Sequence, residues 1–153
     1  MVGSKFGGMD IEAVAHDNPH AIVKVPVKMS EGVTEDQCRT MTKALGFPMA
    51  LEGKVTAQIK ALYKLFSSTD ATQVEINPMV ETSQGDVMCL DAKINFDDNA
   101  SFRQKEIFSL RDFSQEDERE VKAAAQDLNF IGLDGTIGCL GTLLDGFSVW
   151  GIL

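Results

Sequence analysis

The sequence predicts an α+β domain, with helices packed on a mostly antiparallel sheet. Three observations carry that expectation. A strand-like alternation near residue 25 is followed by two helical stripes between residues 34 and 68, and then by a hairpin pattern over Thr72–Asn99. At 153 residues the chain is one domain's worth, and its 44% hydrophobic and 24% charged composition is that of an ordinary globular protein able to bury a core.

Gly7-Gly8 punctuates the start, and Asp10–His16 follows as a short helix: Asp10 caps it, Ile11, Val14 and Ala15 repeat at helical spacing, and Asn18-Pro19 stops it. Ala21–Lys28 alternates Ile22, Val23, Val25 and Val27 with Lys24 and Lys28, a strand that Pro26 assigns to an edge. Thr34 through Gln37 has capping-box spacing and opens a helix running to Leu45, with Gly46 as its stop and Cys38, Met41 and Leu45 as its core stripe. A longer helix covers about Thr56–Ser68, where Ile59, Leu62, Tyr63 and Phe66 share a face widened by Leu65.

The hairpin is the one place where backbone geometry forces polar residues to converge. Val74, Ile76 and Val80 fall on one face of its first arm, and Glu75 and Asn77 on the other. In the second arm Met88, Leu90, Ala92 and Ile94 share a face. Ser83-Gln84-Gly85 is a three-residue loop with glycine where a type I turn with a G1 bulge needs a left-handed residue. That loop pairs Thr82 with Asp86, so Val80 faces Met88, Ile76 faces Ala92 and Val74 faces Ile94 in an apolar, core-directed row. On the opposite face Glu75 meets Lys93 and Asn77 meets Asp91. Opposed residues have Cβ atoms about 4.5–5.5 Å apart, which brings an amide oxygen and a carboxylate to the spacing of a shared hard cation such as Mg²⁺. A hairpin with a merely solvated polar face satisfies the same pattern, and Pro78 requires either an edge strand or a bulge there. The residues alone leave both readings standing.

Beyond the hairpin, Phe96–Asn99 is a polar loop and Phe102–Leu110 a short basic helix. Ser114–Asp117 caps a further helix ending near Leu128, its acidic first turn matching the helix dipole. Asn129–Leu133 is strand-like, Asp134-Gly135 a turn, and Ile137–Leu140 begins a return strand. Gly141–Leu153 is an apolar tail without a helical or strand period. Exposed Leu143, Leu144, Phe147, Val149 and Trp150 would favour association.

A net charge of −9 argues against nucleic acid or an anionic membrane as partner, so a phosphate ligand would need a metal or a borrowed cation. Cys38, Cys89 and Cys139 form no ligand cluster and read as reduced core thiols, and His16 and His20 as solvated turn residues. No run of about 18 apolar residues offers a membrane span. The opening stretch lacks the composition of a transit or secretory signal; if the mature protein lives in an organelle, the expectation is that this stretch does not carry the address.

Three segments then carry a family resemblance: GGMDIE near the start, LYKLFSSTDATQVEINPMVETSQGDVMCLDAKINFDDNASFRQKEIF in the middle, and SQEDEREVKAAAQDLNFIGLDGTIGC toward the end. Over about residues 7–140 the chain resembles the β subunit of succinyl-CoA ligase (succinyl-CoA synthetase). The resemblance implies the second subdomain of an ATP-grasp fold holding Mg²⁺–nucleotide, ATP/ADP or GTP/GDP. It implies Asn77, in EINP, and Asp91, in CLDAK, as magnesium ligands, and Glu75 as the glutamate beside a phosphohistidine supplied by an α subunit that also binds CoA. Lys93, opposite Glu75, would help set that carboxylate's ionisation. The implied reaction is reversible formation of succinate, CoA and ATP or GTP from succinyl-CoA, phosphate and ADP or GDP, in the tricarboxylic acid cycle. Its location would be the mitochondrial matrix in a eukaryote or the cytoplasm in a bacterium.

The family places a grasp subdomain before GGMDIE, where this chain has six residues. It also continues past IGCL into a substrate-binding segment and a C-terminal domain, where this chain reads GTLLDGFSVWGIL. The expectation is therefore a partial ATP-grasp domain over 1–140 with a divergent tail over 141–153. Such a chain would lack ligase activity alone, since transfer needs donors on both sides of the phosphates and exclusion of water. It would work within a larger assembly, or as a non-catalytic module that binds the α subunit.

Overall fold

The computed structural model describes residues 1–126, 128–135, 138–144 and 147–152. It divides into two compact units, Met1–Ser109 and Leu110–Leu153. The architecture is α+β, built from helices and small antiparallel sheets.

In the first unit, β1 (Val2–Gly3) pairs antiparallel with β2 (Val23–Lys24), and between them lies α1 (Ile11–Asp17). Asp10 caps α1, its carboxylate accepting from the amides of Glu12 and Ala13. The strand expected over Ala21–Lys28 is cut to two residues. Pro19–Ala21 forms a 3₁₀ turn on one side, and on the other Pro26 has no amide to continue the ladder after Val25 N–H donates to the Met1 carbonyl at 2.8 Å. Helix α2 (Glu35–Ala44) has the full capping box: Thr34 Oγ1 accepts from the Gln37 amide, and Gln37 Oε1 accepts from the Thr34 amide. Gly46, at φ +81°, turns the chain away in the left-handed region.

Helix α3 is Glu52–Ser68, beginning four residues before the expected start. A 3₁₀ turn at Met49–Leu51 after Pro48 leads into it. Gly53 is tolerated because it lies in the first turn, where few intrahelical bonds depend on it. The core lies between α2, α3 and the sheets: Val25, Cys38, Met41, Leu51, Val55, Ile59 and Val87, with Val33, Phe47 and Met79 packed against it. Cys38 and Cys89 are free thiols, and burial pushes both up from the ordinary cysteine range.

The hairpin is two ladders in series. β3 (Ala71–Ile76) pairs with β6 (Ala92–Phe96), and β4 (Met79–Glu81) with β5 (Val87–Cys89), all antiparallel. The register is the one the loop dictates: Thr82 N–H donates to the Asp86 carbonyl at 2.8 Å, Val80 faces Met88, Ile76 faces Ala92, and Val74 faces Ile94. Gly85 takes φ +75°. At Pro78, after a cis peptide bond, the ladder divides without losing register.

The buried face is corrected on one side of that division. In β3/β6 the expected row is half-buried at Val74, Ile76 and Ile94 but exposed at Ala92, and none of the four joins the core. In β4/β5 the buried residue is Val87, on the opposite row, while Met88 is 50% exposed and Leu90 60%. The reason lies in α3, which reaches this end of the hairpin from the Val87 side. Gln58 Nε2 donates to the Val87 carbonyl, and Lys54 Nζ to the Gly85 carbonyl and Asp86 carboxylate.

Asp70 joins α3 to β3 with φ +52° and is clasped from beyond the hairpin. Arg103 donates to both its carboxylate oxygens, at 2.9 and 2.7 Å, and Gln104 Nε2 to one of them at 2.8 Å. The helix expected over Phe102–Leu110 is one turn, α4 (Lys105–Phe108). Gln104, drawn to Asp70, stands at its N-cap, and Phe102 and Leu110 are exposed rather than packed.

In the second unit α5 (Glu118–Ala124) is shorter than expected. It is capped by Asp117, whose carboxylate Arg119 holds well below its usual range, at about 2. Asn129–Leu133 is not a strand. Phe130, Ile131 and Leu133 are all exposed, so the run has no buried face, and Phe130 instead lies under the Arg119 guanidinium. Ile137 lies outside the described residues, but the return strand exists with a different partner: β7 (Cys139–Leu144) pairs with β8 (Phe147–Ile152), from Cys139↔Ile152 to Leu144↔Phe147. The tail is thus a hairpin. With apolar residues adjoining one another at Leu143-Leu144 and Val149-Trp150, the sequence shows no two-residue period; the readable signal is the Asp145-Gly146 pair between the arms in the sequence. The expectation that its side chains are exposed lies outside the described residues. No helix among the described residues is long and apolar enough to cross a membrane.

Candidate functional site

The polar row of the first ladder is the candidate site. Three cross-strand pairs line up along it: Gln73↔Asn95, Glu75↔Lys93, and at the junction Asn77 with Asp91, whose carbonyl accepts the Asn77 N–H at 3.3 Å. Alternation puts Gln73, Glu75 and Asn77 on one face because successive side chains of a strand point to opposite sides. The sequence-derived opposition of Asn77 and Asp91, and of Glu75 and Lys93, is therefore the observed register.

The side chains are held differently. Glu75 Oε2 accepts a weak bond from Gln73 Nε2 at 3.4 Å, and Asn95 Nδ2 donates to Gln73 Oε1 at 3.2 Å. Among the described residues no ion pair joins Glu75 to Lys93. Asp91 is exposed; its Oδ1 accepts the Ala92 N–H at 2.9 Å, leaving Oδ2 without a hydrogen-bond partner among the described residues. Asn77 is the more constrained residue. Its Oδ1 accepts the Gly8 N–H at 2.7 Å and its Nδ2 donates to the Met9 carbonyl at 2.8 Å.

Among the described residues no group of three or more His, Cys, Asp or Glu side chains could hold a metal. A site for Mg²⁺ does not require one. That ion takes one or two carboxylates and completes its octahedron with water and phosphate oxygens. An amide oxygen and a free carboxylate oxygen on opposed residues have the hard-donor chemistry it prefers, so the residues present fit the ion. His16 is exposed and bonded to the adjacent Asp17, while His20 is exposed; both are apart from this chemistry. The contact of Gly8 and Met9 with Asn77 was not visible in the sequence. Its one signal was the Gly7-Gly8 pair, read only as punctuation and as part of GGMDIE.

Comparison with known proteins gives the context. The family model of the ATP-grasp domain matches residues 1–81, more than half the chain. An ADP-forming mitochondrial succinate–CoA ligase β subunit of Dictyostelium discoideum is 56% identical over 140 residues, 92% of this chain and 32% of that protein. An ADP-forming counterpart of Columba livia is 51% identical over 140 residues, 92% of this chain and 34% of its own. The human GDP-forming mitochondrial β subunit is 51% identical over 139 residues, 91% and 32% of the two chains. The chain spans about a third of the length of these curated relatives. With an α+β fold and the ATP-grasp model matched over its first 81 residues, the chain belongs to the ATP-grasp family and is similar to succinate–CoA ligase β subunits along nine-tenths of its length.

Proposed function

We propose that this chain supplies the Mg²⁺-and-phosphate face of a succinate–CoA ligase β subunit, ADP- or GDP-forming, and acts with an α subunit in the mitochondrial tricarboxylic acid cycle. The observation that carries the reading is the opposition of Asn77 and Asp91 in a chain 56% identical to such a subunit. Asn77 and Asp91 would hold the ion, which when bound would supply neutralisation of the charge that develops on the phosphate during transfer. Glu75, one pleat from Asn77 on the same row, is the residue we assign to the phosphohistidine of the partner. It would accept a hydrogen bond from the imidazole and keep the ring oriented while the phosphoryl group moves between nucleotide and histidine nitrogen. Residues 1–140 are the ATP-grasp part in this reading and 141–153 a separate tail. The mitochondrial assignment draws on the names of the relatives, and the 51–56% identities to ADP- and GDP-forming subunits alike leave both nucleotides in the proposal.

The test is an Mg²⁺ titration of the chain followed by NMR, with ADP or GDP present, and Asp91→Ala as the control. Local shifts at Asn77, Asp91 and Glu75 that disappear in Asp91→Ala support the reading. A well-dispersed spectrum that stays unchanged through the titration counts against the site. A second reading, a non-catalytic module that binds the α subunit, is favoured by exposed Met88 and Leu90 on the hairpin. Capture of the α subunit without phosphoryl transfer would support that one.

A further inference from the structure

We propose that the Gly7–Gly8–Met9 backbone is the positioning element of the cation site, and that it works by locking the Asn77 carboxamide in the flip state that keeps its oxygen available. The proposal rests on the reading of Asn77 and Asp91 as ligands.

Three observations carry it. Both ends of one carboxamide are engaged by adjacent residues of a segment 68 and 69 positions away: Gly8 N–H donates to Oδ1 at 2.7 Å, and the Met9 carbonyl accepts from Nδ2 at 2.8 Å. Reversing the amide would set its NH₂ against an N–H and its oxygen against a carbonyl, so the chemistry of the segment determines the orientation. An amide oxygen has two acceptor positions, and one N–H leaves the second open to a cation.

Next, the approach requires the absence of a side chain. A Cβ on Gly7 would lie 2.8 Å from Pro78 Cβ, an atom fixed in a ring next to Asn77, and Gly8 has φ +76°, a conformation that L side chains rarely adopt. Finally, both bonds are solvent-exposed, and so are residues 6–9. Exposed bonds of this kind add little to folding. What they do fix is the direction of one amide, which otherwise rotates freely between presenting an oxygen that ligates and a nitrogen that does not.

The lock also extends outward. Met9 precedes Asp10, whose carboxylate caps α1 through the Glu12 and Ala13 amides, so the orientation of Asn77 is tied to the start of a helix. A side chain at residue 7 or a changed φ at residue 8 would release the amide without altering either ligand.

The test uses the full chain, ¹⁵N-labelled, with Mn²⁺ as the probe and paramagnetic broadening at Asp91 and at the Asn77 side-chain NH₂ as readout. Gly7→Val and Gly8→Ala act through different atoms, one through Pro78 and one through backbone torsion. Each should raise the apparent Mn²⁺ dissociation constant about tenfold or more, as loss of an outer-shell partner does. Unmoved amide signals at Cys38 and Val55 report an intact core. Without metal, nuclear Overhauser contacts from the Asn77 NH₂ to Gly8 and Met9 should be present in the wild type and absent in Gly7→Val. The proposal is overturned if both variants bind Mn²⁺ like the wild type while Asp91→Ala does not, a result that leaves the site itself standing. Broadening that is insensitive to Asp91→Ala removes the site, and the positioning role with it. Persistence of the contacts in Gly7→Val likewise overturns the lock.

Discussion

Asp70 is the carboxylate of the first unit held furthest below its ordinary range. The Arg103 guanidinium, with help from Gln104, holds its carboxyl at about 2. A carboxylate depressed in the folded state contributes stability that is complete above the ordinary carboxylate range and is lost as pH falls through about 2. In Arg103→Met the Asp70 carboxyl should titrate closer to the ordinary range, read by its ¹³C shift. The stability gap between that variant and the wild type should narrow as the solution is acidified below the ordinary range; a gap that widens would contradict the clasp. The site residues show what was legible at this scale. Strand period and loop length together pair Asn77 with Asp91, because each is a local rule and the two are consistent. The Gly8 contact joins positions 69 apart and obeys no local rule, so the Gly7-Gly8 pair marks a turn in the sequence without naming Asn77 as its partner.

The elements differ in how firmly the chain specifies them. Helix α2 was legible to within a residue because its capping box, apolar stripe and glycine stop all agree. Its cap predicts a loss of about 1 kcal/mol in Thr34→Ala, measured by urea unfolding. Val55, fully buried in the first turn of α3, predicts about 2 kcal/mol for Val55→Ala by the same measurement. At the hairpin loop a Cβ on Gly85 meets nothing, so Gly85→Ala should cost about 1 kcal/mol through φ alone and Gly85→Asn less. The run at Asn129–Leu133 fails as a strand for the opposite reason. Its β-propensity is real, but propensity reflects packing on a half-buried surface, and Ile131 and Leu133 have none. Helix α4 is a single turn: the Gln104 carbonyl accepts the Phe108 N–H at its start, while the Gln104 side chain reaches back to Asp70.

For the molecule as a whole, the fold class was readable while the side of the sheet that faces the core was readable only in part. The alternation of the hairpin gives two candidate faces, and β3/β6 buries neither fully: Val74, Ile76 and Ile94 are half-buried, as Glu75 and Asn77 are, and Ala92 is exposed. In β4/β5 the position of α3 decides, and tertiary placement of a helix is not encoded in the strand's own period. The result is an exposed Met88 and Leu90 on a chain that otherwise carries a protective net charge of −9. Met88→Ser with Leu90→Ser should alter stability by no more than about 0.5 kcal/mol, while lowering concentration-dependent light scattering. A large stability loss instead would mean that those side chains are packed.

The depth of Cys38 has a practical consequence. With no exposure at all on α2, its thiol meets an alkylating reagent only when the core opens, whereas half-buried Cys89 on β5 is reached by smaller excursions of the hairpin. In a Cys139→Ser background the two labelling rates, taken from one sample by mass, form a pair of internal clocks. One times the rupture of the core, and the other times the loosening of the hairpin at whose junction Asn77 and Asp91 sit.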